Sequence, residues 1–285
     1  SKGNNTIQKD YFLPSLNLKY NLNDKNSFRL GVSKTYTLPQ AKEISPYRYV
    51  GVNFNSQGNP NLKPSDNYNL DLKWDFNPTP TELISLTAFY KLIKNPISRI
   101  EVASAGGYLS YENIADKATV AGVEIEIRKN LFVRPVSNAA HGMNKLSLGL
   151  NGSYIYTNAK MPLATVTTGS QLEGAAPWIV NFDLSHNFTK GERSFVNTLV
   201  LNYVSDKIYT IGTQGYQDIM EQGVLTLDFV SQAKLNKHLS LNLKARNLLN
   251  PSYKLSRKAN ENGEKVILND YKKGINISLG VSCTF

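Results

Sequence analysis

The side chains able to do chemistry are few, and their spacing suits recognition better than catalysis. Glu124 and Glu126 stand two residues apart in an alternating stretch, which puts both carboxylates on one strand face about 7 Å apart. An acid and a base at that separation could hydrolyse a glycosidic bond. Ordinary polar neighbours on a wet strand face have the same spacing, and that is the expectation here. His141, His186 and His238 are the only histidines and Cys283 the only cysteine. No Ser–His–acid arrangement, internal disulfide or cysteine-held metal site can be assembled from them, and no glycine-rich phosphate loop is present. The expectation is a protein with no enzymatic activity, cofactor or metal. Recognition falls instead to Tyr47, Arg48, Tyr49 and Phe54, which combine aromatic faces with a cation in a long connection and could hold a ligand.

The elements that must position these residues are strands. Apolar residues recur at every second position almost everywhere, and no stretch holds a helical period over three turns. Leu16, Leu18 and Tyr20 alternate with Asn17 and Lys19, and Tyr68, Leu70, Leu72, Trp74 and Phe76 alternate with Asn69, Asp71, Lys73 and Asp75. The pattern continues through Val123–Ile127, Leu146–Tyr154, Val180–Leu184, Leu199–Tyr203, Leu225–Phe229 and Leu239–Leu243, and ends at Ile275–Phe285. Counting the runs gives about eleven strands.

Composition narrows the class. The 285 residues carry a net charge of +10 and are 41% hydrophobic, with 16 Tyr, 11 Phe and 2 Trp. Mean hydropathy is −0.34, and no apolar run is long enough for a membrane helix. A transmembrane barrel escapes that test, because its strands alternate lipid-facing and lumen-facing residues and average to a polar composition. Its interfacial girdles would also use the aromatic load. Lys and Arg are spread along the chain without a recognition motif, so nucleic acid is not expected as a partner; an acidic outer leaflet of lipid and lipopolysaccharide suits them better. The opening SKGNNTIQKD lacks a secretory leader pattern, so the chain is expected to be matured or internal to a longer one.

Connections alternate in length. Short ones (23–26, 77–82, 189–192, 236–238) carry Asn, Asp, Gly, Pro and Lys, the residues of tight turns. Long ones run over roughly 35–65, 94–116, 158–174, 207–222 and 249–271, and residues 130–143 form a longer member of the short set. Outer-membrane barrels put short turns in the periplasm and long loops outside. The expected fold is therefore all-β, an antiparallel transmembrane β-barrel segment in the bacterial outer membrane. Eleven strands with both ends descending cannot close on each other, which points to part of a larger barrel.

Five stretches resemble one family. SKTYTLPQAKEISPYRYV (33–50), GNPNLKPSDNYNLDLKWDF (58–76), LTAFYKLIKNPISRI (86–100), YENIADKATVAGVEIEI (111–127) and ARNLLNPSY (245–253) occur in the order seen in TonB-dependent receptors, specifically those of Bacteroidota. The resemblance implies the last eleven strands of a 22-stranded barrel, with plug domain and TonB box absent from this chain and residues 1–285 forming the C-terminal part of the barrel. It implies active import across the outer membrane. The partners would be the protein's own plug and N-terminal half-barrel, the TonB–ExbB–ExbD complex reached through that N-terminal part, and a surface lipoprotein. The final run, Ile277, Leu279, Val281, Cys283 and Phe285 on one face, resembles the signal read by the barrel-assembly machinery. Two rival readings are a structural scaffold in an outer-membrane complex and a passive porin-like channel. In the strand containing Glu124, Gly122 is expected at a bend or a close backbone approach.

Overall fold

The computed structural model describes residues 10–104, 107–136, 142–161, 170–259 and 263–284. The chain runs down as β1 (Ser15–Asn21) and back as β2 (Asn26–Thr37). In the turn between them, the Asn23 carboxamide oxygen accepts from the amides of Lys25 and Asn26 at 3.0 and 2.8 Å, which is why Asn is favoured there. The first long loop holds a one-turn helix α1 (Ala41–Ile44) and the short strands β3 (Arg48–Tyr49) and β4 (Ser56–Gln57). The hairpin β5 (Ser65–Phe76) and β6 (Leu83–Lys94) follows, and the next loop carries β7 (Ile97–Val102) and β8 (Tyr108–Asn113). Next come β9 (Lys117–Pro135), β10 (Met143–Ala159), β11 (Trp178–Lys190) and β12 (Arg193–Val204). β13 (Lys207–Thr210) and β14 (Ile219–Glu221) lie in a loop before β15 (Val224–Lys234) and β16 (Leu239–Arg246). The loop hairpin β17 (Ser252–Lys258) and β18 (Lys265–Lys272) precedes the final strand, β19 (Asn276–Cys283).

Eleven strands form one sheet in the order β1-β2-β5-β6-β9-β10-β11-β12-β15-β16-β19. Every ladder in it is antiparallel. This is an up-and-down barrel wall, and it is open: β1 and β19 end the order, and no ladder joins them among the described residues. One face carries Phe28, Val32, Leu70, Leu72, Leu86, Val123, Ile125 and Leu199, all exposed to what would be lipid. The other face is polar. Across it Asn202 donates to Asn181, Asn181 to Asn151, and Asn151 to Glu124 at 2.6 Å, so Glu124 belongs to a carboxamide ladder spanning four strands. Such satisfied polar pairs make a water-facing wall rigid.

Two features differ from the sequence reading. Part of the connection read at residues 130–143 is strand: β9 continues to Pro135, β10 begins at Met143, and a register shift between Leu146 and Ser147 absorbs one residue. His141 lies outside the described residues. The long loops are also more than connections. They hold two four-stranded sheets, β3-β4-β8-β7 and β13-β14-β17-β18, tied by a parallel bridge between Ile100 and Ile211. Gly122 is a close approach, as its position suggests. The Phe89 ring lies over it, and a Cβ there would stand 2.5 Å from the Tyr154 carbonyl oxygen.

Candidate ligand-binding site at the barrel mouth

The buried core sits at the outer end of the wall, beneath the loop sheets. Ala118 of β9 and Ala159 of β10 have the parity opposite to lipid-facing Val123 and Tyr154, so they point inward. They cluster with Ile100, Ile114, Leu172, Ile208 and Ile211. The Ile100 face of β7 is thereby packed against the inner wall. Its other face, carrying Arg99 and Glu101, is turned away from the wall and over the barrel mouth.

That second face holds a polar-aromatic cluster. The Arg99 guanidinium lies 4.4 Å from the Tyr209 ring centroid and 3.3 Å from a Glu173 carboxylate oxygen. Glu173 also accepts the Arg99 amide, filling the seam where the two loop sheets meet. Arg257 pairs with Glu101 and lies over the Tyr216 ring at 5.2 Å. Stacking and ion pairing together hold both planar cations in fixed orientations. Arg99 Nε and Arg257 Nε are nonetheless both buried without a hydrogen-bond partner, leaving two unsatisfied donors in the cluster. Burial pushes the pKa values of both Tyr111 and Glu173 up, while the nearby Arg99 works the other way for each.

A cleft of 310 Å³ opens beside Arg99, lined by Lys42, Phe54, Tyr111, Tyr209 and Asn269 among others. An adjoining cleft of 290 Å³ shares Phe54 and adds Tyr108 and Glu101. The first lies at the lower end of the range of small-molecule sites, and the second extends it. Larger hollows elsewhere, of 540, 570 and 400 Å³, run along β1, β2, β5 and β6 and the turns at their ends, and are concavities of the wall itself.

The four residues singled out in the first long loop separate here. Phe54 lines both clefts, with its ring 6.2 Å from that of Tyr209. Arg48 and Tyr49 form the edge strand β3, where Arg48 lies over Tyr108 at 5.7 Å and Lys42 over Tyr49 at 5.4 Å. Tyr47 is exposed at the rim. The sequence reading missed Arg99, Tyr111, Tyr209 and Glu173. A signal was present in the alternation of Ile97–Val102 and Lys207–Thr210, two short strand runs inside segments read as loops. Of the final run, Ile277, Leu279 and Val281 are exposed and in register with Ala245, Leu243 and Leu241 of β16. Cys283 is exposed, and Phe285 lies outside the described residues. Among the described residues no group of three or more His, Cys, Asp and Glu could hold a metal ion.

An open antiparallel wall with a lipid face, a polar inner face and a roofed cleft at one end defines the class: a β-barrel protein of the bacterial outer membrane. The chain belongs to the family described as TonB dependent receptor-like, beta-barrel, which matches residues 1–248. It is 25% identical over 228 residues to the iron-regulated outer membrane virulence protein of Vibrio cholerae, a match spanning 76% of this chain and 32% of that protein. Among solved structures, the ferric enterobactin receptor of Pseudomonas aeruginosa in complex with enterobactin superposes with a TM-score of 0.61 at 16% identity, covering 96% of this chain and 40% of that one. A copper transporter gives 0.63 at 14%, covering 95% and 39%. The ferric yersiniabactin uptake receptor of Yersinia pestis gives 0.58 at 16%, covering 96% and 37%. The chain thus spans about a third of the curated relative and about two fifths of these structures.

Proposed function

We propose that this chain forms the C-terminal part of the barrel of an active outer-membrane importer, whose mouth cleft captures a small metal chelate. The observation that carries this reading is the cleft built on Arg99, Tyr209, Tyr111 and Phe54, where aromatic rings line the space beside a cation held in place by Tyr209 and Glu173. A flat or anionic chelate would meet rings and charge at once. The relatives named for ferric enterobactin, ferric yersiniabactin and copper support that ligand class.

In this reading a plug and the remaining wall strands complete the barrel between β1 and β19, and TonB–ExbB–ExbD drives release inward. Tyr47, Arg48 and Tyr49 serve as rim contacts and Phe54 as an inner one. The face carrying Ile277, Leu279, Val281 and Cys283, followed in sequence by Phe285, is offered to the barrel-assembly machinery, and a surface lipoprotein caps the loops. The Bacteroidota affinity rests on the five motifs alone. The test is equilibrium binding of ferric and cupric chelates to the native protein in detergent. Removing an aromatic contact by Tyr209→Ala or Phe54→Ala is expected to weaken binding about tenfold, the scale of one lost ring contact. Binding unchanged by both substitutions would place the ligand elsewhere.

A further inference from the structure

We propose that the outer face of the wall carries a binding site for the phosphate of an outer-leaflet lipid headgroup, built from Lys34, Lys94 and Lys117 around Tyr68. All four have the parity of the lipid face, which is apolar lower down through Val32, Leu70, Leu72 and Leu86. At the outer end this face changes character. Lys34 pairs in register with Tyr68, and Lys94 sits opposite Asp66 on one side and Lys117 on the other. Both Lys34 and Lys94 direct their ammonium groups over the one Tyr68 ring, at 5.6 and 5.4 Å from its centroid.

The charges do not balance. Asp66 lies 3.7 Å from Lys34 and is the one carboxylate among these three cations. Lys94 and Lys117 face each other across adjacent strands, an arrangement that repels, and among the described residues neither forms an ion pair. Both are exposed. An anion between them would relieve the repulsion, and the aromatic ring beneath orients the ammonium groups toward it. The apolar band directly below selects an amphiphile over a free ion, because acyl chains would cover Leu70 and Leu72 while the phosphate met the lysines.

The experiment uses the native protein extracted in mild detergent and delipidated. Native mass spectrometry would read its binding of bis-phosphorylated lipid A, of the dephosphorylated form, and of inorganic phosphate. At least tenfold preference for the phosphorylated lipid is expected, lost in the Lys94→Gln/Lys117→Gln variant and kept in Lys94→Arg/Lys117→Arg. Equal binding of the two lipids by the native protein would overturn the proposal, and that comparison stands even if a variant fails to assemble. Inorganic phosphate binding as tightly as the lipid would overturn the lipid assignment. An unchanged preference in the glutamine variant would overturn the choice of residues.

Discussion

At the scale of single residues, the seam between the loop sheets rests on Arg99 and Glu173. Both are largely buried, and each is the other's counter-charge. Removing one partner of a buried pair leaves an uncompensated charge, so Arg99→Ala is expected to cost about 3 kcal/mol of local stability. A second change, Glu173→Gln, should recover most of it. Hydrogen exchange at the loop amides checks this, and a cost that persists in the double variant would show that the charge is not its cause. Burial also holds the Glu173 pKa above the ordinary 4.5. A raised native pKa means that the folded state binds the proton more tightly. The stability this group adds is complete below the free carboxylate value and is lost as pH rises through the raised one. Glu173→Gln should flatten that part of the thermal-midpoint profile across mildly acid pH; an unchanged profile would contradict the assignment. Gly122 is a simpler case. A Cβ would meet the Phe89 ring and the Tyr154 carbonyl, so Gly122→Ala is expected to cost about 1–3 kcal/mol, as overpacking usually does. Thermal unfolding in detergent reads the cost. Phe89→Ala should rescue it only in part, since a backbone oxygen cannot swing away; full rescue would mean that the ring alone was the obstacle.

At the scale of elements, wall and roof differ in how openly the sequence announces them. A wall strand must satisfy lipid on one side and water on the other, so Tyr68, Leu70, Leu72, Trp74 and Phe76 alternate over a whole crossing and the strand can be read directly. The roof strands are two to eight residues long, and β7 and β13 each bury one face against the wall's inner rim. Ile208 and Thr210 alternate with Lys207 and Tyr209 over one short run, too brief to separate from an irregular loop. The extra length of β9 and β10 escaped for a related reason: Asn130, Arg134 and Pro135 look like turn residues, and only cross-strand pairing shows that the ladder continues. Phe54 was legible as an aromatic in an adaptable loop. Arg99 was not, because its partners Tyr209 and Glu173 lie far away in sequence and meet only when the roof folds. The roof should also behave as its own cooperative unit. Ile211 is 1% exposed at the bridge between the two loop sheets, and Ile211→Ala is expected to cost about 2–5 kcal/mol. Amide exchange should rise in β7, β8, β13 and β14 and stay low in β10 and β11. A uniform rise over wall and roof would show instead that they unfold together.

At the scale of the whole molecule, the eleven-stranded wall is amphipathic and, among the described residues, unclosed, with β1 and β19 each pairing on one side only. Backbone groups on such edges find no water in a bilayer, so the wall has to be completed by further strands. Membership in the TonB-dependent receptor-like barrel family fits that requirement, since the solved relatives are more than twice this chain's matched share. In the proposed reading, the cleft over the mouth captures ligand, a role that neither a passive pore nor a scaffold needs. The most direct test is uptake of a radiolabelled ferric chelate by cells lacking the native protein and complemented with it, measured before and after the proton gradient is collapsed. The expected result is uptake that requires both the protein and the gradient, with Tyr209→Ala lowering it. Uptake that survives loss of the gradient, or that is indifferent to the protein across ferric and cupric chelates, would contradict active import through this barrel.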